Sequence, residues 1–136
     1  MDYQNNYKTA YDKYTTDTNA VTDAISSQLQ AQKDAYDKAV AGGKTDFGEG
    51  FDNTFEGDSK VGFYTWIPGK DGQVGRYVVD NSPLNDPIYG EAYQKAIQEK
   101  WTWNQLKEYL NNQAYKTYES SVANYYRDYN NTLNGT

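Results

Sequence analysis

The chain has 136 residues and a net charge of −6, and it contains no cysteine and no histidine. Disulfides, thiolate metal sites and cysteine nucleophiles are therefore excluded, as is the imidazole group that enzymes use most often as a base or metal ligand. No apolar run approaches the roughly 20 residues of a membrane span, and the polar start of the chain predicts no signal peptide.

Residues 3–41 are predicted to form one long helix, which Gly42 and Gly43 would end. The helix is rich in Thr and Asn in its first half, so packing must stabilise it where helix propensity does not. Steps of three and four residues predict a coiled-coil or bundle seam. The predicted seam consists of Tyr7, Tyr11, Tyr14, Thr18, Val21, Ile25, Gln28 or Leu29, Gln32, Tyr36 and Ala39.

Residues 42–59 are predicted to form an acidic, Gly-rich loop. Five acidic residues and one lysine give this segment −4 of the net charge of −6. Phe47, Phe51 and Phe55 recur at every fourth position, and we expect their rings to pin the loop to the rest of the fold.

Residues 60–79 carry the strand signal and predict a β-hairpin around a Pro-Gly and Asp-Gly turn. An isolated hairpin is barely stable in water. We therefore expect an arm that engages a neighbouring subunit by strand addition or by burying Tyr64 and Trp66. The alternative is a hairpin that folds back on the helices and buries its aliphatic side chains, which are Val61, Phe63, Ile67 and Val78.

The rest of the chain is predicted to be an extended connector over residues 80–86 and helices over 87–101 and 103–133. Asp86 would cap the first of these helices. Thr102 and Gln105 form a capping-box pattern, which predicts a break before the second. The expected inward faces are Ile88, Tyr89, Ala92, Tyr93, Ala96, Ile97 and Trp101, and then Trp103, Leu106, Leu110, Ala114, Thr117, Val122 or Ser121, Tyr125 and Tyr129.

These elements predict a mainly α fold of one domain over residues 1–136. Its two long helical segments, N-terminal and C-terminal, would pack as a hairpin or bundle, with the β-hairpin arm inserted between them. Of the 15 tyrosines, 13 fall in the helical regions. Tyr118, Tyr125, Tyr126 and Tyr129 are expected opposite the tyrosines of the first helix.

No motif predicts a catalytic, cofactor or metal site. The acids at 46–49 lack the spacing of a calcium loop, and the segment at 69–72 lacks the spacing of a phosphate-binding loop. An acidic chain without a basic surface is not expected to bind nucleic acid through hairpin rings such as Tyr64, Trp66 and Tyr77.

Composition instead indicates a protein that contacts other proteins. Leu, Ile, Val and Phe number 20 of 136 residues, whereas 15 tyrosines and three tryptophans are present. So few aliphatic residues predict a monomer of marginal stability, and Tyr and Trp are enriched at interfaces. The interface candidates are Tyr7, Tyr11, Tyr14, Tyr64, Trp66, Tyr77, Tyr125 and Tyr129.

The first functional hypothesis is a structural or assembly component of a virion, such as a tailed-phage head, connector or tail accessory protein. Its partners would be copies of itself or neighbouring virion proteins. The second is a surface or secreted module that binds a glycan or peptide with the hairpin aromatics. The third is a hydrolase based on two carboxylates, a requirement that any acidic chain meets.

Overall fold

The computed structural model describes residues 3–133 and is mainly helical. The predicted fold class is confirmed: two long helices, N-terminal and C-terminal, pack on each other, and a β-hairpin is inserted between them. Within the described residues, no helix combines the length and the apolar composition needed to cross a bilayer. The elements are α1 (Tyr3–Ala41), β1 (Tyr64–Ile67), β2 (Arg76–Val79), a 3₁₀ helix (Ser82–Asn85), α2 (Gly90–Gln98) and α3 (Trp103–Leu133).

The chain divides into two compact units. Unit 1 comprises Met1–Asp23 and Glu108–Thr136, and unit 2 comprises Ala24–Lys107. Each unit combines a stretch of α1 with a stretch of α3, and unit 2 also holds the loop, the β-hairpin and α2. The expectation of one domain over residues 1–136 stays a prediction.

Unit 2 has a core of aromatic and small aliphatic side chains. Trp103 and Leu106, at the start of α3, are almost completely buried. Phe63 packs edge-on against Trp103, with 5.6 Å between ring centroids, and lies 5.0 Å from the ring of Tyr93 on α2. Ala39 and Ala96 are buried with them. Small residues let the helices approach this aromatic centre closely.

The β-hairpin is shorter than its sequence pattern predicts. Its antiparallel register pairs Tyr64 with Val79 and Ile67 with Arg76, and an eight-residue loop joins the strands. Val61 lies before β1, and its N–H donates to the carbonyl of Trp101 at 2.9 Å, not to β2. Residues 61 and 63 of the expected strand are thus part of the core of unit 2.

At the junction between α2 and α3, the structure confirms the predicted start of α3 but not the predicted end of α2. The capping box is confirmed: Gln105 N–H donates to the Thr102 hydroxyl at 3.2 Å, and Thr102 N–H donates to the Gln105 side chain at 2.8 Å. Helix α2 ends at Gln98 rather than at residue 101. Lys100 adopts a left-handed conformation (φ 57°), and its N–H and that of Trp101 close a C-terminal turn.

The start of α2 also differs from the expected residue 87. The Asp86 carboxylate accepts hydrogen bonds from the N–H groups of Ile88 and Tyr89, both at 2.8 Å, as a cap does. Regular helix nevertheless begins only at Gly90, and Ile88 points to solvent instead of joining the inward face. The expected extended connector contains the 3₁₀ helix, which begins beside an Asp80 carboxylate that accepts the N–H of Ser82 at 2.9 Å.

The predicted seam of α1 is correct in its C-terminal two-thirds and shifted at its start. The side chains of Val21, Ile25 and Gln32 are buried. Near the N-terminus the buried residue is Ala10, and Tyr7 and Tyr11 lie on its flank, about half exposed. A tyrosine ring is too large for the close approach that alanine permits, so the rings lie beside the contact line of the helices.

Candidate functional site

The described part of unit 1 carries a layer of tyrosine rings along one face of its two helices. On α1 these residues are spaced by four and three positions, and on α3 by three and four, which places each set on one side of its helix. We call this surface the tyrosine face. It consists of Tyr7, Tyr11, Tyr14, Tyr115, Tyr118, Val122 and Tyr126.

Tyr118 lies at the centre of this layer. Its ring centroid is 5.5 Å from that of Tyr14 and 6.0 Å from those of Tyr7 and Tyr115. The contacts with Tyr7 and Tyr11 are edge-to-face, at interplanar angles of 74° and 73°. Such pairs are worth about 0.5–1.5 kcal/mol each beyond burial of their area. The rings therefore hold the two antiparallel helices together as well as forming their surface.

The tyrosine face carries little charge. A hydrogen bond between the hydroxyls of Tyr118 and Tyr7 raises the pKa of Tyr118 to about 12. This phenol is therefore neutral at physiological pH and does not supply a nucleophile or a base there. The face can offer ring surface and hydroxyl groups to a partner, but not a phenolate at its centre.

A groove of about 490 Å³ opens between the rings of the two helices. Its lining carries the charge of Glu119 and otherwise comprises tyrosine, valine and alanine side chains. Four rings remain substantially exposed: Tyr7 at 42%, Tyr11 at 52%, Tyr115 at 46% and Tyr126 at 55%. A contiguous surface of this kind is typical of a protein interaction site.

The remaining helical candidates lie further along α3. Tyr125 is half-buried and Tyr129 is exposed, and both are in unit 1. Their assignment as interface residues stays a prediction.

A second aromatic cluster lies in unit 2, and it confirms that the phenylalanines pin the acidic loop. Phe47, Phe51 and Phe55 lie around Tyr36 of α1, with centroid distances of 4.8, 6.0 and 5.4 Å. The hairpin candidates Tyr64 and Tyr77 stack on each other at 5.0 Å beside this loop. Burial raises the pKa of Tyr77 above its usual range.

Trp66, the third hairpin candidate, packs against backbone within unit 2. A Cβ atom added at Gly42 or at Gly75 would lie 2.4 Å from its indole ring, so only glycine allows this approach. The hairpin is also fixed to α1 by Gln32, whose buried side-chain oxygen accepts the N–H of Tyr64 at 2.6 Å. The alternative in which the hairpin folds back is thus realised at Val61 and Phe63, whereas Ile67 remains exposed.

The carboxylates of the loop organise its turns. Asp46 accepts the N–H of Gly48 at 2.9 Å, and Asp52 accepts the N–H and hydroxyl of Thr54 at 2.9 and 2.7 Å. These bonds lower the pKa of Asp52, which is the opposite of what a general acid for glycoside cleavage needs. Over residues 3–133, no group of three or more Asp and Glu side chains is placed to bind a metal ion.

The sequence did not indicate the roles that Tyr115 and Gln32 have in the structure. The predicted seam runs through Ala114 and Thr117 and does not include Tyr115, although the three-residue spacing of Tyr115 from Tyr118 signals a shared face. The seam pattern predicts that Gln32 faces inward, but no local pattern indicates that its side-chain oxygen accepts a backbone N–H of a strand 32 residues away.

Comparison with known proteins gives no relative to reason from: no protein-family model, curated protein or solved structure matches the chain.

Proposed function

We propose that this chain is a non-enzymatic structural protein that makes protein–protein contacts in a larger assembly, with the tyrosine face as its contact surface. The observation that carries the proposal is the exposure of Tyr7, Tyr11, Tyr115 and Tyr126 on one face of unit 1. Tyrosine is among the residues that dominate binding energy at interfaces, because a large, stiff ring is buried at low entropic cost. A surface without a partner would leave these rings in water.

The assembly that we propose is a virion, with this chain as a head, connector or tail accessory protein of a tailed phage. Its partners are further copies of the chain or neighbouring virion proteins. The support is compositional: the chain is short, rich in tyrosine, and without cysteine or histidine. The use of Asp46 and Asp52 as turn-forming groups also fits a role in which the carboxylates do no chemistry.

The experiment places a photo-crosslinking benzoyl-phenylalanine at position 11 in cells that make the protein naturally. The same probe at Thr16, exposed on the same helix outside the tyrosine face, is the matched control. We expect the chain to sediment in a particle far heavier than its own 15.5 kDa. The probe at position 11 should form covalent adducts with one identified subunit of that particle, and the probe at position 16 should not.

Free sedimentation of the chain at every stage of growth would contradict the assembly role. Equal adduct yields at positions 11 and 16 would show that the tyrosine face is not the contact surface. A particle that contains the chain but encloses no genome would disprove the virion context and leave the assembly role standing.

A further inference from the structure

We infer that the occupant of the tyrosine face is a second copy of this chain, and that two copies pair about a two-fold axis into a four-helix arrangement. The inference deepens the proposed function, because it names the first partner of the same surface. The described residues of unit 1 form only two helices, which are stretches of α1 and α3. Two helices share a single contact line, here marked by Ala10, Val21 and Leu110. The tyrosine face lies beside that line, where a four-helix bundle would place its other helices.

The exposed tyrosine rings offer a large part of the area of a dimer interface. A tyrosine buries about 150–250 Å² when it is fully covered. Tyr7, Tyr11, Tyr115 and Tyr126 are each about half exposed, so they offer roughly 400 Å² of ring surface per copy. A stable interface buries about 800 Å² per partner. The four rings would thus supply about half of the area that a dimer needs.

The charge distribution favours a copy over a strongly charged partner. Residues 3–23 and 108–133 contain four basic and six acidic side chains, which gives 4 − 6 = −2. The charges near the rings alternate in sign along α1, and they form the exposed pairs Lys8–Asp12 and Lys13–Asp17. Two such surfaces meet with little net repulsion. A net charge of only −2 gives a strongly basic partner little electrostatic attraction, and it weakly repels an acidic one.

The ring geometry identifies the partner surface chemically. Tyrosines on this face already contact each other edge-to-face, and an exposed ring gains the same interaction only from another aromatic surface. Across a two-fold axis the face meets itself, so every ring finds a ring. The contact closes at two copies and leaves no free equivalent surface.

The test measures the mass of the purified full-length chain by analytical ultracentrifugation. We expect a concentration-dependent dimer of twice 15.5 kDa. Replacing two face residues together, Tyr11→Lys and Tyr126→Lys, should raise the dissociation constant at least about 30-fold, the effect of one lost hot-spot ring. The matched control is Thr16→Lys with Ser120→Lys, at exposed positions on the same two helices outside the face. It should leave the dissociation constant within about threefold of the parent.

A second measurement needs no substitution. Isotopically light and heavy chains are mixed and photo-oxidised, so that tyrosines in contact become joined by a carbon–carbon bond. Mass spectrometry should find light–heavy links that join tyrosines of the face. This readout keeps the inference testable if circular dichroism shows that the double lysine variant has lost its helices.

Three results would overturn the inference: a parent chain that stays monomeric up to about 0.1 mM, equal dissociation constants for the face variant and the control, or light–heavy links confined to other tyrosines. Other outcomes distinguish a failure of the dimer from a failure of the proposed assembly role. A monomer that still enters a particle through position 11 retains the assembly role with a different partner. A purified dimer that sediments freely in cells retains the dimer and removes the assembly role.

Discussion

The two units of this chain use aromatic residues in opposite ways. In unit 2, Phe63 and Trp103 are buried against each other, and Gly42 and Gly75 bring backbone close to the ring of Trp66. In unit 1 the rings of Tyr11 and Tyr126 are half exposed. Unit 2 thus completes its core within one chain, whereas unit 1 keeps ring surface available. Aromatic content alone does not reveal whether a ring serves folding or binding, because that depends on what covers it.

The largest expected effect is that of emptying the core of unit 2. Trp103→Ala should lower the free energy of unfolding by about 3–5 kcal/mol, because the indole is buried and its neighbours cannot refill the space. In unit 1, Tyr118→Ala should cost about 2 kcal/mol, since that ring contacts other tyrosines but is only half-buried. Urea unfolding, followed by circular dichroism at a dilution that keeps the chain monomeric, measures both. Equal losses would remove the distinction between the units.

The next effect tests how unit 2 holds its hairpin. Gln32→Ala removes the acceptor of the Tyr64 N–H and leaves this part-buried donor without its partner, which should cost about 1–3 kcal/mol. Gln28→Ala, four residues earlier on the same helix and less buried, is the control and should stay within about 0.5 kcal/mol of the parent. Thermal unfolding followed by tryptophan fluorescence is the measurement, because Trp66, Trp101 and Trp103 all lie in unit 2. A loss of the same size in both variants would mean that the hairpin does not depend on this bond.

Sequence patterns predict some features of this chain and not others. Helix α1 has the bounds that its spacing and Gly42 predict, and the capping box at Thr102 fixes the start of α3. Local chemistry determines such features within a few residues. The burial of Phe63 and the exposure of Tyr11 depend instead on which helix lies opposite, and that information is spread over the whole chain. The sequence therefore indicates the tyrosine candidates by residue type and spacing, but not the surface that they form.

Alkaline titration compares one phenol from each unit. Tyr93 in unit 2 has its pKa raised to about 12 by burial, and Tyr118 in unit 1 to about 12 by its bond with Tyr7. Both pKa values lie above the ordinary 10.0, so the folded state favours the neutral phenols. Their contribution to stability is complete below pH 10 and is lost as the pH rises towards 12.

The substitution Tyr7→Phe separates these two causes. It removes the hydroxyl partner of Tyr118, so the pKa of Tyr118 should fall from about 12 towards 10.0, while that of Tyr93 stays at about 12. Ring-carbon NMR shifts recorded against pH measure each phenol individually. A pKa of Tyr118 that does not move would show that the hydroxyl bond is not what sets it.

The smallest expected effect is an increase in stability. It tests whether unit 2 holds some of its residues in an unfavourable backbone conformation. The non-glycine residues with positive φ among residues 3–133 are Phe55, Asp71 and Lys100, and all belong to unit 2. A side chain in this conformation costs about 1–2 kcal/mol. Glycine removes that cost, but it loses more conformational entropy on folding, which destabilises the folded state by about 0.5–1 kcal/mol.

Lys100→Gly should therefore stabilise the protein by about 0.5–1 kcal/mol. The backbone carbonyl of residue 100 accepts a hydrogen bond from the side-chain ammonium of Lys60 at 2.8 Å, and the substitution leaves this carbonyl in place. Gln98→Gly, at the last helical residue of α2, is the control and should destabilise by about 0.5–1 kcal/mol, because it adds the same entropy without relieving strain. Both changes are read from urea unfolding followed by tryptophan fluorescence. If both substitutions destabilise the protein equally, the backbone at Lys100 is not strained. The packing of unit 2 would then not be needed to hold Lys100 in its conformation.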